Sequence, residues 1–468
     1  MLRSTYCLRR VPERALLTCT LAALAGLITG CGTSFRTAVT EPAAVHPPPS
    51  TASTQTAAAI TVPAPEPEIA DGAAITVDQI VRRAAARNPS REVFEATRAA
   101  AAAQLQLASA WANPELELSG GRAKARDGST SESIYGLDLR QRFELPGKRS
   151  SRMEAARAGQ AVTEREVAID SLALESSVRE ACAELVAAEA TLTQAQVASE
   201  AAEQMLKAVD LRVKAREADS GEAARAKLEL IIARSVRDQA EREVIGNRAA
   251  VRVWVGGGLP EHFTISDGLP TDLPLVDRSA ALATAIERNP RLALMRAQID
   301  VRSAELAREQ RVWQPDITVG VFSARESDSE NLGLSVGVEI PLWNRNQGGI
   351  AVADAERRKA LAQMRAEQQI ITREVDLAWQ RYESRRLALG AMLTEAKAAA
   401  QVAINAKLAA FAAGEASLLD VLEARRAALA VDHAVLEARR SAADARLALG
   451  RAMGSFTITP TIPAGVQP

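Results

Sequence analysis

The chain has 468 residues, 57 Lys and Arg against 58 Asp and Glu, and only 3% aromatic side chains. So even a charge balance argues against a nucleic-acid surface, which needs a concentrated excess of cations. Of the four Cys, three fall within the first 31 residues, so no intrachain disulfide framework is available to the body.

Residues 1–30 read as a secretory signal. Arg3, Arg9, Arg10 and Arg14 precede an apolar run from Ala15 to Ile28, shorter than the roughly 20 residues that span a bilayer. Ile28-Thr29-Gly30-Cys31 resembles the lipobox of bacterial lipoproteins, which implies cleavage before Cys31 and acylation of its thiol. Gly32 stands where an Asp would imply retention in the inner membrane, so that resemblance implies an outer-membrane anchor. Residues 31–74 are expected to form a disordered, lipid-anchored tether, because Ser34 to Glu68 is mostly Pro, Ala, Thr and Ser and has no core to bury. The remaining thiol, Cys182, lies in an Ala-rich helical run and reads as a small buried residue.

The body repeats itself. Arg87-Asn88-Pro89 recurs as Arg288-Asn289-Pro290, 201 residues on, and the prolines of Trp111-Ala112-Asn113-Pro114 and Trp313-Gln314-Pro315 keep that spacing. Phe143-Glu144-Leu145-Pro146 returns as Val338-Glu339-Ile340-Pro341 at 195, and Gly221-Glu222-Ala223 as Gly414-Glu415-Ala416 at 193. The repeats are assigned to 75–268 and 269–459, with a tail over 460–468.

Within each repeat the hydrophobic period changes from helical to alternating and back. Leu116 and Leu118, then Tyr135, Leu137, Leu139, Phe143 and Leu145, alternate with polar or small neighbours. Ile317, Val319 and Val321, then Leu332, Leu334, Val336, Val338 and Ile340, do the same. Each set predicts a hairpin with one wet face, closed by the loops Arg122 to Glu132 and Ser323 to Glu330. Trp111, Phe143, Trp313 and Trp343 flank the strands as an interfacial girdle would.

Long helices surround these strands. From Pro146 to about Ala218 there is no further Pro, and at 1.5 Å per residue such a helix reaches on the order of 100 Å. Its copy runs from about Gly349 to Ala413. Read in sevens, Leu361, Gln368, Val375, Tyr382, Leu389, Ala396 and Ala403 form one seam, and Met364, Ile371, Ala378, Arg385, Met392, Ala399 and Ala406 the other, a coiled-coil pattern. Four strands cannot close a barrel, and lipid does not tolerate an open sheet edge, so several copies are expected to share one barrel.

Together these features resemble the TolC-type outer-membrane efflux factor family over Ile75 to Gly454. The resemblance rests on the duplicated helix, hairpin, helix unit, the Asn-Pro opening each repeat, the proline before each first strand, and the turn from Phe411 to Leu422. It implies a mainly α fold with membrane β: long coiled-coil helices forming a periplasmic α-barrel, plus four strands per chain in a shared transmembrane β-barrel. It also implies a homotrimer embedded in outer-membrane lipid, working with a periplasmic adaptor and an inner-membrane pump of the RND type. Phe143-Glu144-Leu145-Pro146-Gly147-Lys148-Arg149 and Ile340-Pro341-Leu342-Trp343-Asn344-Arg345-Asn346-Gln347-Gly348 resemble more narrowly the cobalt-zinc-cadmium members. Carried over by position, Gly221 and Gly414 are the tip-turn glycines, and Asp420 and Glu423 narrow the periplasmic aperture. Equal counting from Gly221 sets Lys227 opposite Asp420, where opposite charges could latch the tip.

No nucleophile with a nearby base, phosphate loop or metal-ligand spacing is present, so neither enzyme activity nor a cofactor is expected. His46, His262 and His433 stand apart, so any metal specificity would rest with pump and adaptor. A multidrug or type I secretion duct fits the same pattern. A purely structural coiled-coil lipoprotein fits the helices but not the paired hairpins.

Overall fold

The computed structural model describes residues 70–124, 131–326 and 329–457. The signal, Cys31 and most of the tether, with the C-terminal tail, lie outside them. In chain order the elements are β1 (Ala74–Ile75), α1 (Val77–Arg87), α2 (Ser90–Ser109), β2 (Glu115–Lys124), β3 (Ser131–Phe143), α3 (Lys148–Lys214), α4 (Ser220–Val255) and β4 (Thr264–Ile265). Next come α5 (Arg278–Arg288), α6 (Pro290–Glu309), β5 (Ile317–Glu326), β6 (Ser329–Val338), α7 (Gln347–Ala391), a π-helical turn (Met392–Ala396), α8 (Lys397–Ala412) and α9 (Leu418–Met453).

Local chemistry sets the boundaries. Thr76 and Gln79 form a reciprocal capping box at the start of α1, and Asp277 caps α5 through Ala280 N. Asn289 accepts from Arg291 N at 2.9 Å with Pro290 opening α6, where a missing N–H costs nothing. Gly256 and Gly454 end α4 and α9 in the left-handed conformation, at φ 74° and 75°, which glycine adopts without strain.

Each repeat buries its own core. In the first, Ile80 of α1 meets Val178, Cys182 and Leu185 of α3 and Val251 and Val255 of α4, closed below by Phe263. The short parallel pair β1–β4, with Ile75 opposite Ile265, ties the start of this repeat to its end. In the second, Leu292, Ile371, Val375, Tyr382, Leu389 and Leu449 pack together. Two polar groups there are satisfied by the preceding loop: Tyr382 Oη donates to Pro274 O at 2.7 Å and Trp379 Nε1 to Val276 O at 2.8 Å. A third cluster, Met205, Val209, Ala226, Leu418, Val421 and Leu422, joins both repeats near the helical tip.

The four strands form one antiparallel sheet in the order β2-β3-β5-β6. Leu116 pairs with Leu139, Leu139 with Val321 and Val321 with Leu334, so one face is an apolar surface, and these four side chains are exposed within the chain. The other carries Glu115, Arg140, Gly320 and Ser335 in register. β2 and β6 are the edges.

Two expectations change. The strands run further than the alternating pattern, to Lys124 and from Ser131 in one hairpin, to Glu326 and from Ser329 in the other. Backbone pairing continues past the apolar band because ladder bonds need no hydrophobic face. The heptad seam holds through Ile371, Val375, Ala378, Tyr382 and Leu389, all buried, stays partly covered at Met392 and Ala396, and is then lost. There the π-helical turn inserts an extra residue per turn, and the partly covered positions become Ala396, Ala400, Ile404 and Phe411, while Ala399, Ala403 and Ala406 are exposed.

Candidate functional site: channel wall, junction and helical tip

On the polar face of the sheet, Arg140 is clasped by Asp138 at 2.8 Å and by Glu117 across the ladder at 3.3 Å. Its stem lies over Gly320, where a Cβ would come within 3.2 Å of Arg140 Cγ. The glycine keeps room for a charged network flat on the sheet. Phe322 also lies on this face, its ring crossing Gly333, where an added Cβ would fall 2.4 Å from Phe322 Cζ. Sequence alternation ended at Val321 and did not find this aromatic; the pairing with glycine is what places it.

Where strands become helices, the two repeats use different chemistry for one task. In the first, Arg152 donates to the carbonyls of Ala108 at 2.8 Å and Ala110 at 3.0 Å and to Glu144 at 2.5 Å, while Arg149 donates to Ser109 O at 2.8 Å. These carbonyls are the orphans at the end of α2, which cations satisfy well. Arg149 also lies 5.0 Å over the Trp111 ring, and Lys148 pairs with Asp316 at 2.7 Å, tying α3 to the residue that leads into β5. In the second repeat one neutral residue suffices: Asn346, at φ 59°, donates to Glu309 O at 2.9 Å and to Glu309 Oε2 at 2.8 Å. The Asn346 amide and Arg308 hold the Glu309 carboxyl below its usual range.

At the far end α3 turns into α4 and α8 into α9. Gly414, at φ 77°, is the left-handed residue of the second turn, with Glu415 N donating to Ala410 O at 2.9 Å. The first turn differs from expectation. Its left-handed residue is Arg216, at φ 64°, with Glu217 N donating to Arg212 O at 2.8 Å, while Gly221 already lies in the first turn of α4. Asp219 and Ser417 are the matching N-caps, so Glu222, and not Lys227, stands at the position of Asp420. Counting from glycine to glycine misled because the first turn makes its left-handed bend without one.

Asp420 is held locally. It accepts from Ser417 N at 2.9 Å and Ser417 Oγ at 2.6 Å and lies 3.8 Å from Lys407 Nζ. The bonds from Ser417, then Lys407, depress its carboxyl below the ordinary range. Glu423 and Lys227 are exposed, and an ion pair joins Glu229 of α4 to Arg426 of α9 at 2.7 Å. Among the described residues no group of three or more His, Cys, Asp or Glu could hold a metal ion.

Residues 281–455 match the outer membrane efflux protein family. The cobalt-zinc-cadmium resistance protein CzcC of Cupriavidus metallidurans is 26% identical over 316 residues, 67% of this chain and 74% of that protein. The nickel and cobalt resistance protein CnrC of the same organism is 28% identical over 294 residues, 61% of this chain and 68% of CnrC. The crystal structure of CusC, 21% identical, shares the fold at a TM-score of 0.67, covering 84% of this chain and 97% of CusC. The likeness to CusC shows the fold, a four-stranded sheet carried on long paired helices. The family match thus covers most of the second repeat, and the likeness of fold extends over most of the chain.

Proposed function

We propose that this channel is the exit duct of a tripartite system exporting divalent heavy-metal cations, opened by a periplasmic adaptor and supplied by an inner-membrane RND-type pump. The observation that carries the reading is similarity to two metal-resistance proteins, CzcC and CnrC, each over more than 60% of the chain. A passive role suits the wall, whose Arg140 is neutralised by Asp138 and Glu117 and offers no ligand cage. Three copies of the four-stranded sheet, β2 of one beside β6 of the next, give a twelve-stranded barrel.

Two details belong to the same reading. Cys31 carries the lipid anchor, tested by metabolic labelling with a fatty acid: label should enter the natural chain and be absent from Cys31→Ala. Asp420, Glu423 and Lys227 ring the periplasmic aperture, Lys227 meeting carboxylates of a neighbouring copy. For the cargo, deletion of the gene should sensitise cells to zinc, cobalt, cadmium or nickel and leave drug tolerance unchanged. Sensitivity to drugs alone would assign the duct to multidrug export.

A further inference from the structure

The two repeats end differently. In the first, Phe263 follows the capping Gly256 by seven residues, reaches the core and is fully buried. The next residues pair with the start of that repeat, Thr264 N donating to Ala73 O at 3.2 Å and Ser266 N to Ile75 O at 3.0 Å, and Ile265 is buried. In the second, Phe456-Thr457-Ile458 repeats Phe263-Thr264-Ile265, but Phe456 follows Gly454 by only two residues. The loop that would carry its ring under the core is missing. The carbonyls that would receive such a strand are also engaged. Pro274 and Val276 precede the Asp277 cap as Ala73 and Ile75 precede Thr76, and they accept from Tyr382 Oη and Trp379 Nε1.

Phe456 therefore goes elsewhere. Its ring rests on Gly450 of α9, where an added Cβ would come 2.8 Å from Phe456 Cδ1, and the Arg179 guanidinium of α3 lies 5.3 Å over it. Ser455 N donates to Gly450 O at 2.9 Å, which fixes the turn that delivers the ring. There it forms one wall of a cavity of about 490 Å³ between the repeats, beside Val77 of α1, Val186 of α3, Leu269 of the connecting segment and Leu447 of α9. The two acids at this cavity are committed, Asp78 to Arg179 and Asp267 to Val77 N. Arg446 at its rim is exposed and joins no ion pair or hydrogen bond among the described residues, which leaves its donors for backbone carbonyls. An apolar hollow with one spare guanidinium suits an uncharged chain bearing aliphatic side chains. The sequence attached to its wall, Ile458-Thr459-Pro460-Thr461-Ile462-Pro463, is such a chain. Tethered through Phe456, it meets the cavity at a high effective concentration.

We propose that this cavity receives the residues after Thr457, Ile458 taking the part that Ile265 has in the first repeat, so that they strap α1 and α3 of one repeat to α9 of the other. The test uses Leu447→Cys in the full-length channel and in the same chain ended at Thr457, with maleimide labelling of the folded protein read by mass spectrometry of the peptide that carries residue 447. Ending the chain should speed labelling about tenfold, and Ile458→Asp in the full-length chain should do the same without shortening it. Labelling equally fast in all three would show an uncovered cavity and overturn the proposal. Labelling equally slow in all three would overturn it differently, showing that a neighbouring copy or another segment covers the site. A cross-link in the full-length chain depends on neither variant folding: Ala443→Cys with Ile458→Cys should give a disulfide-linked peptide on mild oxidation, and its absence would also overturn the strap.

Discussion

Asn289 and Ala452 lie 163 residues apart, yet the amide Nδ2 of the first donates to the carbonyl of the second at 3.0 Å. Asn88 makes the same bond to Trp254 O at 2.7 Å in the other repeat. In both places a left-handed glycine lets the backbones meet: a Cβ on Gly454 would fall 2.8 Å from Asn289 Cα, and one on Gly256 2.6 Å from Arg87 O. The Asn-Pro opening is therefore a latch between the start and finish of each repeat, as well as a helix cap.

Removing either amide takes away a part-buried hydrogen bond, so Asn289→Ala and Asn88→Ala should each cost about 1 kcal/mol. Asn289→Asp keeps the acceptor for Arg291 N and loses only the donor, and should be nearly as harmful. Thermal melting of the detergent-solubilised channel measures this; unchanged midpoints in all three variants would refute the latch.

The sheet parity predicts a contrast between neighbours. Leu139→Lys and Val336→Lys place a charge against lipid at a cost of about 2–4 kcal/mol near the bilayer midplane. Arg140→Lys and Ser335→Lys place it against the aqueous lumen and should assemble normally. Heat-sensitive oligomer bands in outer-membrane fractions give the comparison, and equal assembly of all four would reverse the assignment of faces.

Much of this architecture is legible in the residues themselves. Alternation of Leu137 and Leu139 with Asp138 and Arg140 reports a one-sided sheet because only one face is apolar, and the recurring Asn-Pro reports a duplicated unit. The tip was less legible. Arg216 adopts the left-handed conformation that glycine normally marks, so a residue count anchored on Gly221 placed Lys227 opposite Asp420. The strand pairing β3–β5, which joins the hairpins, left no mark in the pattern either, because it is a long-range ladder bond between backbones.

If charges at the aperture hold the resting state, Lys227→Glu should raise single-channel conductance in planar bilayers, and high salt should reduce the difference between variant and natural chain. Asp420→Asn keeps an acceptor for the cap of α9 while removing the charge beside Lys407, so an effect there reports electrostatics and not a lost cap. Unchanged conductance in both single variants would remove these residues from the gate.

Deleting Thr394, inside the π-helical turn, removes the extra residue, so α7 should run into α8 as one regular helix with Ala400 and Ile404 still on their present face. The expected result is slower amide exchange over the residues of the former turn, with no change over residues 361–389. Loss of protection over residues 397–412 would mean that the turn does not absorb the extra residue.

Cys182 is fully buried, and burial pushes its thiol up to about 12. Native alkylation at pH 8 should run on the order of a thousandfold slower than for an exposed cysteine, through both thiolate scarcity and lack of access. Rapid labelling in the folded channel, followed by mass spectrometry of the peptide, would show that the α1, α3 and α4 core opens.

The bare edges of β2 and β6 have a genetic corollary. A copy whose edge is damaged but whose helices still fold would be admitted to assemblies and spoil the wall it helps to build. Such alleles should act dominantly over the natural gene, whereas alleles that abolish folding altogether should be recessive. Phenotypic dominance in merodiploid cells would thus sort edge lesions from core lesions without purifying any protein.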